Sequence, residues 1–136
     1  MNIQRIAAVG SIVAVVVAVV AGLTLIGSPA EQRLRRLDEG RVNDLRALSR
    51  AVYFQWNERQ VLAASAADLV DGRSLTRLPV DRSSDEPYEY RVTGARAFEL
   101  CAVFARPSRP QDAQDFWYHD AGRRCFEFDV TENPGF

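Results

Sequence analysis

The sequence predicts an α+β protein: an N-terminal transmembrane helix continuing into an amphipathic helix packed on a small antiparallel sheet of three or more strands. Three patterns predict it. Residues 6–26 run without a charge; Leu34, Leu37, Leu45, Leu48, Val52 and Trp56 recur in steps of three and four; and residues 98–104 and 125–129 alternate aromatic or apolar positions with others. The 136 residues leave room for one domain behind an anchor, and 47% hydrophobic content is ordinary for a folding chain. All 17 basic residues are arginines set against 18 acids, so a net charge of -1 makes no electrostatic case for nucleic acid.

The organisation we expect is an anchor over 1–27, a stalk helix over 28–60 and a small α+β head over 61–136. As a helix the apolar run spans about 30 Å, the thickness of bilayer hydrocarbon. Its valines and two glycines suit lipid, where the backbone can bond only to itself. Ser28-Pro29-Ala30 also offers a signal-peptidase site after Ala30, although the run exceeds a usual signal core of about 7–15 residues. Arg5 precedes the run and Arg33, Arg35, Arg36 and Arg41 follow it, which by charge alone puts the head in the cytoplasm. The cysteines favour the opposite orientation.

Ser28 with Glu31 has capping-box spacing, and Pro29 fits the first helical position, so a helix starts there. Its stripe from Leu45 to Trp56 is expected to pack on the sheet, with Arg41 as the one polar member. Leu34 and Leu37 lie closer to the membrane and are candidates for contact with a partner helix; the alternative is loose packing or contact with headgroups. A second short helix is expected over 65–72, from Ser65 as cap to Gly72 as stop. A polar connection with Pro79 and Pro87 leads to strands over 88–92, 98–105 and 124–130.

Phe98, Leu100, Ala102 and Phe104 share one face of the second strand, as Phe126 and Phe128 do in the third. Cys101 and Cys125 therefore fall together on the other face. If the strands are antiparallel neighbours a disulfide can join them, and a small head gains from one; free buried thiols are the other reading.

Signals for chemistry are weak. His119, the one histidine, lies near Asp115 and Asp120 but beside no nucleophile motif, so packing is the expectation and a catalytic base the rival. Asp112, Asp115 and Asp120 could offer oxygen ligands to calcium, without the spacing of a known loop. We expect no cofactor, no metal site and no small-molecule substrate.

The layout of apolar helix, amphipathic continuation, short helix and small antiparallel sheet is similar to that of type IV pilin-like proteins. Residues 78–94, "LPVDRSSDEPYEYRVTG", resemble the region of major pseudopilins of type II secretion where an aspartate loop leads into a Pro-Tyr-x-Tyr strand. Asp81, Pro87, Tyr88, Tyr90 and Gly94 carry the match. The chain lacks a standard prepilin cleavage motif: Ser11 follows Gly10, and Val15 stands in the place of the family's glutamate. The resemblance implies a non-enzymatic, single-pass inner-membrane protein with a periplasmic head, a structural or assembly component of a secretion or pilus-type envelope complex. Its partners would be membrane lipid and other envelope proteins or copies of itself. The alternative is an accessory or sensor-like subunit of another inner-membrane complex.

Overall fold

The computed structural model describes residues 2–26 and 28–132. In chain order these form helices α1 (Ile3–Ile26) and α2 (Pro29–Arg59), and strands β1 (Glu89–Val92), β2 (Ala97–Phe104) and β3 (Gly122–Asp129). Short 3-10 turns lie at Ala66–Leu69 and Pro110–Asp112. The chain divides into two compact units, Met1–Arg33 and Leu34–Phe136. The join of the two helices at Gly27 lies outside the described residues.

In the first unit, α1 holds no acid in its first turn and no base in its last. Its large apolar side chains from Ile3 to Leu23 are bare, Ile12 and Val15 both being 62% exposed. Ser11 and Thr24 turn their hydroxyls back onto the carbonyls of Ala7 and Ala21, so these side chains satisfy their own donors within the helix. The helix is long and apolar enough to cross a membrane, and its place near the N-terminus suits a signal sequence as well.

The start of α2 follows the capping signal, with Ser28 Oγ accepting the Glu31 N–H at 3.2 Å. It ends where Gln60 takes a left-handed backbone (φ 55) and returns its N–H to the Trp56 carbonyl. Between these, Leu45, Leu48 and Val52 are fully buried, Trp56 is partly covered, and Leu34 is exposed.

The helix expected over 65–72 contracts to the 3-10 turn at Ala66–Leu69. Asp71 is the physical reason. Its carboxylate accepts the N–H groups of Arg73, Ser74 and Leu75, while Asp71 and Gly72 donate to the Leu75 carbonyl. These bonds turn the chain before a second helical turn can form.

The three strands lie in the order β1-β2-β3, each antiparallel to its neighbour. Strand β3 starts two residues earlier than expected because Gly122, at φ 99, pairs with Phe104. The inner face stacks Phe98 on Phe128 at 4.7 Å, with the Tyr53 ring of α2 edge-on to Phe98. Phe98, Leu100, Phe126 and Phe128 join Leu45, Leu48 and Val52 in one core, each large side chain there contributing roughly 1.5–3 kcal/mol.

Candidate functional site

Within residues 78–94, Asp81, Ser83, Tyr88 and Tyr90 bond to groups outside the stretch, as Glu89 and Arg91 do on the other face of the sheet. Arg41 of α2 lies buried at the centre. Its Nε donates to Asp81 Oδ2 at 2.5 Å, its Nη1 to Asp38 Oδ1 at 2.6 Å, and its Nη2 to Ser83 Oγ at 2.7 Å. Asp81 also accepts the Ser83 N–H and hydroxyl. Burial opposes the charge of Asp81, yet the bonds from Arg41 and Ser83 prevail and hold its pKa down at about 2. Burial likewise works against the Arg41 charge, and its bonds to Asp81 and Asp38 more than offset that, so its pKa is raised.

Asp38 extends the network to the end of β2. It accepts the backbone N–H groups of Ala105 and Arg106 at 2.9 and 2.8 Å, where the chain leaves β2. One guanidinium and two carboxylates thus tie helix α2 to the loop before β1 and to the loop after β2. Such a set fixes register between elements more than it adds stability over an apolar core.

The tyrosines fasten the same segment. Tyr88 is buried, and its hydroxyl donates to Asp44 Oδ2 on α2 at 2.9 Å; burial first, then the Asp44 charge, pushes its pKa well above the ordinary phenol range. Tyr90 donates to the Ala63 carbonyl at 2.8 Å, and burial raises it to about 12. Pro87 forms an isolated antiparallel bridge with Val80, closing the loop in which Asp85 is left-handed (φ 58). Gly94 sits in the β1–β2 turn, its N–H bonded to the Ala97 carbonyl.

Across the sheet, the opposite face carries the Cys101–Cys125 disulfide, S–S 2.10 Å, joining directly paired residues of β2 and β3. Arg123 reaches over it to grip both carboxylate oxygens of Glu89 at 2.9 and 2.7 Å, while its Nη2 lies 3.5 Å from Cys101 Sγ. That bridge lowers the Glu89 pKa and raises that of Arg123. Glu99, buried beside the sulfurs, is ion-paired with Arg91. Among the described residues, Glu99, Cys101 and Cys125 are the one group of three potential metal ligands close together, and with both sulfurs in a disulfide no thiolate is present to bind an ion.

A cleft of about 310 Å³ runs between α2 and the 106–119 loop, with Val42, Arg46, Arg109, Trp117 and His119 in its wall. His119 is 93% covered by neighbours, at 7% exposure, and stacks on Phe104 at 3.6 Å. Its Nδ1 lies 2.8 Å from the Trp117 carbonyl, which can only accept, so Nδ1 carries the proton. Ser108 Oγ stands 3.0 Å from that same nitrogen and also accepts the His119 backbone N–H. A protonated Nδ1 has no lone pair with which to activate the serine. This geometry describes a histidine that pins a loop. Asp115 turns one oxygen to the Trp117 N–H, and Asp112, Asp115 and Asp120 do not converge as ligands among the described residues.

Leu34 is exposed and Leu37 half-buried, so both remain available on the second unit's surface. Sequence reasoning missed Asp38, Asp44 and Ser83. The usable signal was Arg41 itself, since a charge inside an apolar stripe demands a buried counter-charge.

No protein family, curated protein or solved structure matches the chain. The fold and sites therefore define the class alone: a small α+β head with one disulfide, carried behind an apolar helix.

Proposed function

We propose that the protein is a non-enzymatic, single-pass inner-membrane component of a secretion or pilus-type envelope complex, with a pseudopilin-like head in the periplasm. The observation that carries this reading is α1, whose valine and isoleucine side chains from Ile3 to Val20 are bare along a span of membrane length. A surface of that kind needs lipid or other apolar helices around it. Three further features support it. The Asp81 loop and Tyr88 fasten the sheet to α2, and the resemblance to pseudopilins implies a hairpin packed on the amphipathic part of the long helix. Leu34 and Leu37 leave an apolar edge at the membrane end of α2. The disulfide suits an oxidising compartment.

Photo-crosslinking from residues 34 and 37 in native membranes tests the proposal. Crosslinks to copies of the chain or to secretion or pilus subunits are expected. A stable stoichiometric partner of another kind would replace this reading with that of an accessory subunit of a different membrane complex.

A further inference from the structure

The disulfide sits in a row of paired residues, Glu89 on β1, Cys101 on β2 and Cys125 on β3, whose side chains share one face of the sheet. The two sulfurs differ in their surroundings. Cys101 is on the central strand and 2% exposed, with the Glu89–Arg123 bridge on its far side. Cys125 is partly exposed on β3, and among the described residues no strand lies beyond β3.

Thiol–disulfide exchange requires the incoming thiolate to approach along the S–S axis, behind the sulfur it attacks. Approach behind Cys101 crosses β1 and meets the Glu89–Arg123 pair. Approach behind Cys125 comes across the open edge of the sheet. The leaving group is also decided, because Arg123 Nη2 lies 3.5 Å from Cys101 Sγ, where a guanidinium stabilises a departing thiolate. The nearby Glu99 carboxylate opposes this less than its distance suggests, being held by Arg91.

We propose that Cys101–Cys125 is a directional exchange site for a dithiol reductant, with Cys125 the attacked sulfur and Cys101 the leaving thiolate. One thiolate of the reductant forms a bond to Cys125 Sγ as the Cys101–Cys125 bond breaks, and the electron pair departs on Cys101. The reductant's second thiolate then attacks its own sulfur in the mixed disulfide. Cys125 is released as thiolate, both cysteines take up protons, and the reductant leaves as a disulfide. The protein is reduced by two electrons and the dithiol is oxidised by two.

The test uses the oxidised full-length protein in detergent micelles, with glutathione as a monothiol whose first mixed disulfide is trapped before a second thiol or Cys101 resolves it. Early quenching with N-ethylmaleimide and peptide mapping locate each adduct. Glutathione on Cys125 with maleimide on Cys101 is expected, at about ten to one over the reverse. An even or reversed distribution, or a disulfide that resists exchange while the head is folded, overturns the proposal. Arg123→Gln is expected to slow exchange by about threefold, the effect of raising a leaving thiol's pKa by about one, whereas the remote Arg73→Gln leaves the rate unchanged. Equal rates in the two variants would overturn the role of Arg123.

Discussion

Replacing Arg41 by methionine keeps the length and apolar stem of the side chain and removes the charge between Asp38 and Asp81. In the natural chain all three side chains are nearly covered, at 8%, 7% and 13% exposure. Breaking a buried pair costs about 3–5 kcal/mol because a charge is left without its partner. The lower end applies here, since Asp38 keeps two backbone N–H donors and Asp81 keeps Ser83. A loss of about 3 kcal/mol lowers the melting point of a head this size by about 12 °C or more. Urea unfolding of the full chain in micelles, followed by tryptophan fluorescence, reads this through Trp117, which is 3% exposed. Adding Asp81→Asn to Arg41→Met is expected to recover part of the loss, because one orphaned charge disappears. An Arg41→Met head within about 0.5 kcal/mol of the natural one would refute the assignment of this network as the tie between helix and loops.

Acid and alkali should each weaken the head in a defined window. Asp81 is depressed from 3.8 to about 2, so its share, about 2 kcal/mol, is fully present above about 4 and lost as pH falls through about 2; an acid titration of Asp81→Asn should lack that step. Tyr88 and Tyr90 are raised, so their share is complete below about 10 and fades as pH climbs through about 12 and beyond. Tyr88→Phe, which removes a bond to an acid, should cost about 1.5–3 kcal/mol in the same urea assay. Phe98→Ala should cost about 3–5 kcal/mol, because the ring is wholly buried between Phe128 and Tyr53. Val15→Arg, at the middle of α1, should oppose insertion by about 2.5–3.5 kcal/mol and raise the fraction of the chain released by carbonate extraction.

Local patterns in the sequence determined much of this protein. The uncharged run of residues 6–26 fixed an apolar helix of membrane length, because hydropathy and helical rise are properties of neighbouring residues. The alternation around Phe98 and Phe126 fixed which face of each strand is apolar and put both cysteines on the other, because side-chain direction in a strand repeats every two residues. Tertiary structure decided what depends on distant partners. Asp38 and Arg41 read as one acid and one base on a helix, and only the folded chain brings Asp81 and the 105–106 backbone to them, across separations that no local period encodes. Asp71 stopped the second helix by collecting three N–H groups, a competition that helical propensity alone does not register. Strand order made the two sulfurs unequal, placing Cys101 at the centre of the sheet and Cys125 at its edge, because neighbours across a sheet are chosen by packing and not by position in the chain.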